Sequence, residues 1–339
     1  MKALINPALD TAGVPAASDA AAAFHRVLSG YAPTPVHQLD AIASELGVAA
    51  VQVKDESSRL GLPAFKILGA SWAVERALRD EPAVRTLVAA SAGNHGRAVA
   101  HAAALRGLAC RIFLPERSLA VRRQAVAAEG AEIVVVDGSY EDAVESAARA
   151  AREDATELIA DVGDTRAAEW VIDGYATLFT EAAEQATYDL IFVPVGVGSL
   201  AAAAARHGAQ VGAKVIGVEP TTAACLTASL AQGMPTVVPT PGTTMAGLDC
   251  AEVSPAAWPS LHRGIAGTVT ISDNEADTAV RELSANGYTI GESGAAPLAG
   301  LRALQEDEDC RGLREHLATN RQTHVLLVAT EGPTGTHPG

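Results

Sequence analysis

The chain reads as an α/β protein built on a mainly parallel sheet with helices on both faces. Three observations predict this. Short apolar runs such as Leu87-Val88-Ala89-Ala90 and Leu190 to Val195 alternate with longer helical stretches, the pattern of buried parallel strands joined by crossover helices. Two of those runs pass directly into glycine-containing turns that open helices, at 91–96 and 196–200. Aromatic residues are only 4% of a chain that is 48% hydrophobic, so helices must pack through small side chains. A length of 339 residues points to about two domains or lobes.

Taken in order, Ala16 to Leu28 is expected to be a helix with Ser18 at its N-cap, ended by Gly30 and the Pro33-Thr34-Pro35 turn. Leu39 to Leu46 is a short helix stopped by Gly47, and Val48 to Val53 a strand. The polar stretch from Lys54 to Pro63 is a loop that delivers Lys66 to a helix running to about Leu78. Strands follow at Leu87 to Ala90, Cys110 to Leu114, Ile133 to Val136 and Leu158 to Ala160, separated by helices at 94–106, 118–129 and 140–153. Trp170 to Ala186 is helical, Leu190 to Val195 a strand, and an alanine-rich helix runs to His207. Val215 to Val218 and Val325 to Ala329 are strands; between Pro220 and Val325 no element is assigned.

A net charge of −15 argues against nucleic acid or an anionic membrane as partner. Cys110, Cys225, Cys250 and Cys310 form no CxxC pair, which favours a reduced, cytoplasmic protein with free thiols. The nine His residues show no HExxH or HxH spacing, so no metal site is expected. No signal peptide is read at the N-terminus, and no run of about 18 uncharged apolar residues is present to span a membrane.

Lysine is scarce: only Lys2, Lys54, Lys66 and Lys214 occur, and the other 21 of 25 basic residues are Arg. Arg stays protonated in proteins, whereas a desolvated lysine can become a neutral amine nucleophile. Lys66 between Phe65 and Ile67 is therefore a candidate nucleophile. The ordinary alternative is a stem laid on apolar surface with its head in water.

Three stretches bear on that choice. Gly196-Val197-Gly198-Ser199-Leu200 follows a strand and opens a helix; glycines let amides turn toward a ligand, and a helix N-terminus suits a phosphate. The alternative is a tight turn. Ser91-Ala92-Gly93-Asn94-His95-Gly96 stands in the same setting. Its amides suit a carboxylate, and Asn94 can donate to a phenolate oxygen; the alternative is an Asn-capped helix. Ala329-Thr330-Glu331-Gly332 ends the last strand, at the sheet edge where parallel sheets bind ligands. A cofactor with a phosphate, a phenolate oxygen and an aldehyde would use all three stretches together with Lys66. That cofactor is pyridoxal 5′-phosphate.

With these residues in view, the chain resembles the tryptophan synthase β-type pyridoxal-phosphate enzymes (fold type II), and among them diaminopropionate ammonia-lyase. The similar segments are Tyr31-Ala32-Pro33-Thr34-Pro35, Val53-Lys54-Asp55-Glu56-Ser57, Ala64-Phe65-Lys66, Gly93-Asn94-His95-Gly96-Arg97 and Gly174-Tyr175-Ala176-Thr177-Leu178. Met245-Ala246-Gly247-Leu248, Gly291-Glu292-Ser293-Gly294-Ala295 and Thr330-Glu331-Gly332 follow in family order. The resemblance implies a two-lobed fold, with residues 74–169 as a small lobe inserted into a large one of 1–73 and 170–339. It implies Lys66 as the Schiff-base lysine and α-proton base, with Phe65 beside it. Asn94 would meet the 3′ oxygen, Gly196, Val197, Gly198, Ser199 and Leu200 the phosphate, and Thr330 the pyridine nitrogen. Ser91, Ala92, Gly93, Asn94 and His95 would line the substrate carboxylate site.

The sequence also departs from that family. An acid directly before Gly-Asn-His is the ammonia-lyase pattern, and Ala92 stands there, as in threonine dehydratases. A second family acid matches Asp161, with shorter spacing to Gly174-Tyr175 and with Asp164 as competitor. Pro63 stands where the ammonia-lyases have Asn. The expected activity is α,β-elimination on a small L-amino acid with a β-leaving group, giving a 2-oxo acid and ammonia, by a cytoplasmic homodimer. A β-replacement synthase and a catalytically silent cofactor-binding protein are the alternatives.

Overall fold

The computed structural model describes residues 1–333; residues 334–339, which the expected large lobe includes, lie outside the described residues. The strands are β1 (Ala3–Ile5), β2 (Val36–Gln38), β3 (Ala50–Asp55), β4 (Thr86–Ala90), β5 (Ala109–Pro115), β6 (Glu132–Val136), β7 (Thr156–Leu158), β8 (Leu190–Pro194), β9 (Lys214–Pro220), β10 (Ile265–Ile271) and β11 (His324–Ala329). They form two sheets. The larger has the order β1-β10-β9-β8-β11-β3-β2 and the smaller β6-β5-β4-β7. The smaller sheet is wholly parallel. In the larger, only the three-residue edge strands β1 and β2 run antiparallel to their neighbours. The central strands are buried on both faces, which is why they read as continuous apolar runs.

Two helices join the sheets. Lys66–Asp80 lies against Arg166–Gln185, and small residues let them approach closely. A Cβ on Gly69 would stand 2.6 Å from the Tyr175 ring, and one on Gly174 would stand 2.5 Å from the Leu68 carbonyl oxygen. One apolar cluster runs through both helices and reaches Leu87 and Ile112 of the smaller sheet and Ile191 and Val193 of the larger. The expected lobe boundaries at 73/74 and 169/170 fall inside these two helices.

The loop that leads to Lys66 is anchored by buried charge. Arg59, 1% exposed, donates to both Glu56 and Glu181, and Lys54 donates to Glu181 and to the Thr34 carbonyl. Burial would raise the Glu181 carboxyl, but the Arg59 and Lys54 cations override it and bring it down to about 2. Such a group is costly to desolvate and holds only while every member is paired. It fixes Glu56 and Arg59, ten and seven residues before Lys66.

The structure corrects several expectations. The first helix spans Ala20–His25, and its N-cap is Asp19, which makes no side-chain capping bond; Ser18 Oγ accepts from Ala20 N one residue earlier. The strand expected at 158–160 is Thr156–Leu158. The helix expected from Trp170 begins at Arg166, capped by the Thr165 hydroxyl. The unassigned stretch before Val325 contains β10 and the helices Cys225–Gln232, Trp258–Gly264, Asp273–Ala285, Glu292–Glu306 and Arg311–Leu317. Among the described residues no helix is long and apolar enough to cross a membrane.

Candidate active site

Lys66 is the first residue of its helix, and the three residues before it are stitched to the end of β11. Phe65 N donates to the Thr330 carbonyl, Ala64 bridges Glu331, and Gly332 N donates to the Pro63 carbonyl. The ammonium of Lys66 donates to Asp161 Oδ2 at 2.9 Å and lies 5.5 and 5.8 Å from the ring centres of Phe65 and Tyr175. Burial alone would lower the Lys66 ammonium, but the Asp161 carboxylate overrides it and holds the group well above the usual lysine range. Asp161 is pushed up by burial and pulled down by His95 and Lys66, with a net fall to about 2.

Asp161 follows β7 after two residues, and its carbonyl accepts from the Ser199 hydroxyl at 3.0 Å. It is thereby tied to the glycine loop of the other sheet. Asp164 is exposed. The His95 ring is buried, with Nε2 bonded to the Ile159 carbonyl at 2.8 Å and Nδ1 3.7 Å from Asp161 Oδ2. Burial lowers its pKa in spite of Asp161. A neutral ring that donates through Nε2 leaves Nδ1 without a proton, and Nδ1 makes no hydrogen bond.

The glycine loop leaves β8 and opens the helix Ser199–Val211. Gly198 has φ +91°, and a Cβ there would meet the Leu261 side chain at 2.6 Å. A Cβ on Gly196 would stand 2.7 Å from the Gly247 carbonyl oxygen and 3.0 Å from Cys250 Sγ. A side chain would be strained at both positions, and the turn stands at a helix N-terminus, where free backbone amides suit an anion.

Asn94 begins the helix Asn94–Leu105, and its Nδ2 donates to Glu331 Oε2 at 2.6 Å. Glu331 is 4% exposed, and burial raises its pKa. Ser91 Oγ accepts from Gly93 N, and a Cβ on Gly96 would stand 2.0 Å from the Ser91 carbonyl oxygen. Thr330 is buried, and its hydroxyl makes no hydrogen bond among the described residues. The structure thus gathers Lys66, Phe65, Asp161, Ser199 and His95 in one contact group, and Ala92, Gly93 and Asn94 on the wall of an adjoining cleft. Sequence reasoning gave no role to Glu331, Tyr175 or Cys250. Glu331 and Tyr175 lie inside quoted segments, where their neighbours carried the signal; Cys250 had only its residue type.

Comparison with known proteins shows the family of the chain. The family model described as "Pyridoxal-phosphate dependent enzyme" matches residues 27–320. The chain is 33% identical to the diaminopropionate ammonia-lyase of Escherichia coli K12, over 92% of this chain and 87% of that protein. It is 28% identical to the biosynthetic L-threonine dehydratase of Salmonella typhimurium, over 87% of this chain and 56% of that one. The crystal structure of the E. coli diaminopropionate ammonia-lyase with an aminoacrylate-PLP azomethine reaction intermediate superposes with a TM-score of 0.89 at 32% identity, covering 98% of this chain and 94% of that one.

The residues present fit the cofactor. A part-buried lysine amine, a glycine turn at a helix N-terminus and a buried hydroxyl without a partner among the described residues are the chemistry that an aldehyde, a phosphate and a ring nitrogen call for. The chain belongs to the pyridoxal-phosphate dependent enzyme family, as a lyase with pyridoxal 5′-phosphate as its cofactor.

Proposed function

We propose that the chain eliminates the β-substituent of a small L-amino acid, as a diaminopropionate ammonia-lyase or a serine/threonine dehydratase does, and releases a 2-oxo acid and ammonia. The observation that carries this reading is the Lys66–Asp161 pair. It places a movable proton on a part-buried amine, with its Asp161 partner bonded through its carbonyl to Ser199 of the glycine loop. When bound, pyridoxal phosphate supplies an aldehyde for amines and a ring that withdraws electrons from the α-carbon.

Lys66 Nζ would hold the cofactor covalently and would serve as the base for the α-proton. Asp161 is the acid partner of Lys66. It accepts from the ammonium and fixes its direction, while the Ser199 hydroxyl holds the Asp161 backbone. The amides of Gly196 to Leu200 hold the phosphate, with the helix dipole behind them. Asn94 Nδ2, here bonded to Glu331, would donate to the 3′ oxygen, and Phe65 would border the ring. Thr330 would offer the ring nitrogen a neutral hydroxyl, which would favour its unprotonated form and suit prompt loss of a leaving group. Ser91, Ala92, Gly93, Asn94 and His95 form the carboxylate loop; His95 contributes through its backbone, because its ring is turned to Ile159 and Asp161.

The segment 74–169, which carries the smaller sheet, acts as the small lobe over the rest. The protein works as a homodimer in the cytoplasm, a reading supported by the family resemblance and by four free cysteines, three of them buried. The deciding experiment measures 2-oxo acid and ammonia from serine, threonine, diaminopropionate, cysteine and hydroxyaspartate, in both enantiomers, with no second nucleophile present. Release of 2-oxo acid supports elimination. Product only after a nucleophile is added would favour β-replacement, and none in either case a silent binding protein.

A further inference from the structure

A cleft opens from the Asn94–Glu331 pair toward solvent, lined among others by Pro63, Ala92, Arg97, Arg122 and Gly247. Its charged groups are unequal. Glu331 is engaged by Asn94, and Arg97 is engaged by Glu129 at 2.8 Å. Arg122, on the helix Ala120–Ala127, is half-buried and makes no ion pair or side-chain hydrogen bond among the described residues. Ala92, on the same cleft wall, brings no charge. The cleft lining therefore offers an unpaired guanidinium, while its carboxylate, Glu331, is buried and takes a hydrogen bond from the neutral Asn94 amide. A guanidinium fork matches a carboxylate or phosphate in geometry and repels an ammonium group.

We propose that Arg122 is the specificity residue of this enzyme and selects amino acids that carry an anion at the β-position. The inference rests on the elimination reading above. Two chemistries share that anion. In 3-hydroxyaspartate the carboxylate stays: the Cα–H and Cβ–O bonds break, water leaves, and hydrolysis of the resulting enamine takes up one water and gives oxaloacetate and ammonia. In O-phosphoserine the phosphate leaves with the Cβ–O electron pair, and one water is consumed to give pyruvate, phosphate and ammonia. No oxidant or reductant is needed in either case.

The test uses the holoenzyme and its Arg122→Gln and Arg122→Lys variants, each first shown to keep the parent melting temperature and cofactor content. Elimination is measured on L-threo-3-hydroxyaspartate, O-phospho-L-serine, L-serine and L-diaminopropionate. Binding is measured separately, as the change in cofactor absorbance on adding L-aspartate or L-alanine, neither of which has a β-leaving group. The expected result is a preference of at least about tenfold for an anionic substrate. Arg122→Gln should lower kcat/KM on that substrate by about 10- to 100-fold, mainly through KM, as loss of a charge-assisted contact does. Serine should stay within about twofold, the size of an ordinary surface change, and aspartate binding should weaken while alanine binding does not. Arg122→Lys should recover part of the loss. An equal fall on all substrates would assign Arg122 to the α-carboxylate and overturn the proposal, as would no change on any. If no amino acid gives a 2-oxo acid, the elimination reading fails, and the aspartate–alanine comparison still decides the role of Arg122.

Discussion

Lys66 Nζ and Asp161 Oδ2 stand 2.9 Å apart although 95 residues separate them in the chain. One lies at the start of a helix; the other lies just beyond the shortest strand of the smaller sheet. Asp161 keeps Lys66 protonated before the cofactor arrives. A protonated amine is no nucleophile, so the proton must leave Lys66 before it can attach the aldehyde. The pair therefore fixes the direction of the amine and gives its proton a carboxylate to leave to.

The first prediction concerns the anchor. The purified protein should be yellow, and borohydride reduction followed by peptide mapping should place the pyridoxyl group on Lys66. Lys66→Ala should lose elimination by several orders of magnitude, because anchor and base are removed together. A label on Lys54 or Lys214 would refute the assignment. Lys54 is fully buried in its pair with Glu181 and is not poised to react.

The second concerns the glycine loop. Gly198→Ala forces a side chain onto φ +91° and against Leu261, a strain of roughly 1–3 kcal/mol that lowers the melting temperature of the cofactor-free form. Cofactor affinity should fall further than this loss explains, since the turn must reshape before its amides can face a phosphate. Equilibrium binding of pyridoxal phosphate to folded apo-protein separates the two effects. Unchanged affinity would make the loop a turn and nothing more.

The third follows from His207, which is buried, stacked on Phe179 and bonded to the Tyr188 hydroxyl at 2.7 Å. Burial lowers its pKa from 6.5 to about 4. The unfolded chain then binds a proton that the folded chain does not. Its stabilising contribution is full above pH 6.5 and is lost as pH falls toward 4, at about 1.4 kcal/mol per pH unit within that window. His207→Phe keeps the stacking and removes the titration. Denaturant unfolding between pH 7 and 5 should show a shallower acid loss in the variant, by about one proton. Parallel slopes would show that His207 is not the group that titrates.

These positions were not equally legible in the sequence. Lys66, Asn94 and the 196–200 loop each sit in a local strand–loop–helix context that composition and glycine spacing disclose. Glu331 could not be assigned a role, because its partner Asn94 is 237 residues away and belongs to the helix beside the other sheet. Much of the stretch between Pro220 and Val325 stayed unread because breakers sit inside its elements. The helix Glu292–Glu306 contains Pro297, and its Gly300 is needed where a Cβ would stand 2.5 Å from Val218 Cγ2. Strand β10 carries Gly267, where a Cβ would stand 2.6 Å from the Leu4 carbonyl oxygen. In both, tertiary packing overrides local propensity. The Ser272–Glu275 capping box at the start of Asp273–Ala285 was a readable signal that went unused.

The last prediction is stereochemical and rests on Ala92. Removing the α-proton of an L-amino acid and of its D-enantiomer requires bases on opposite faces of the bound substrate. Lys66 supplies one face. Asp161 is held by Lys66 itself and so stands on the Lys66 side. Asp164, the other acid in the neighbouring loop, is exposed. On the cleft wall, Ala92 has no titratable group, and Glu331 is buried, with one oxygen bonded to Asn94. With alanine at position 92 in place of an acid, the enzyme should act on L-substrates and be slow or inactive on the D-forms. Ala92→Asp supplies a carboxylate on the open wall and should add D-activity while the L-rate stays within about tenfold, the effect of changing a residue that takes no part in the L-reaction. Initial rates on both enantiomers of the best substrate, in the parent and in Ala92→Asp, decide it. Similar rates on the two enantiomers in the parent would mean that a second base acts and that Ala92 does not set the stereochemistry.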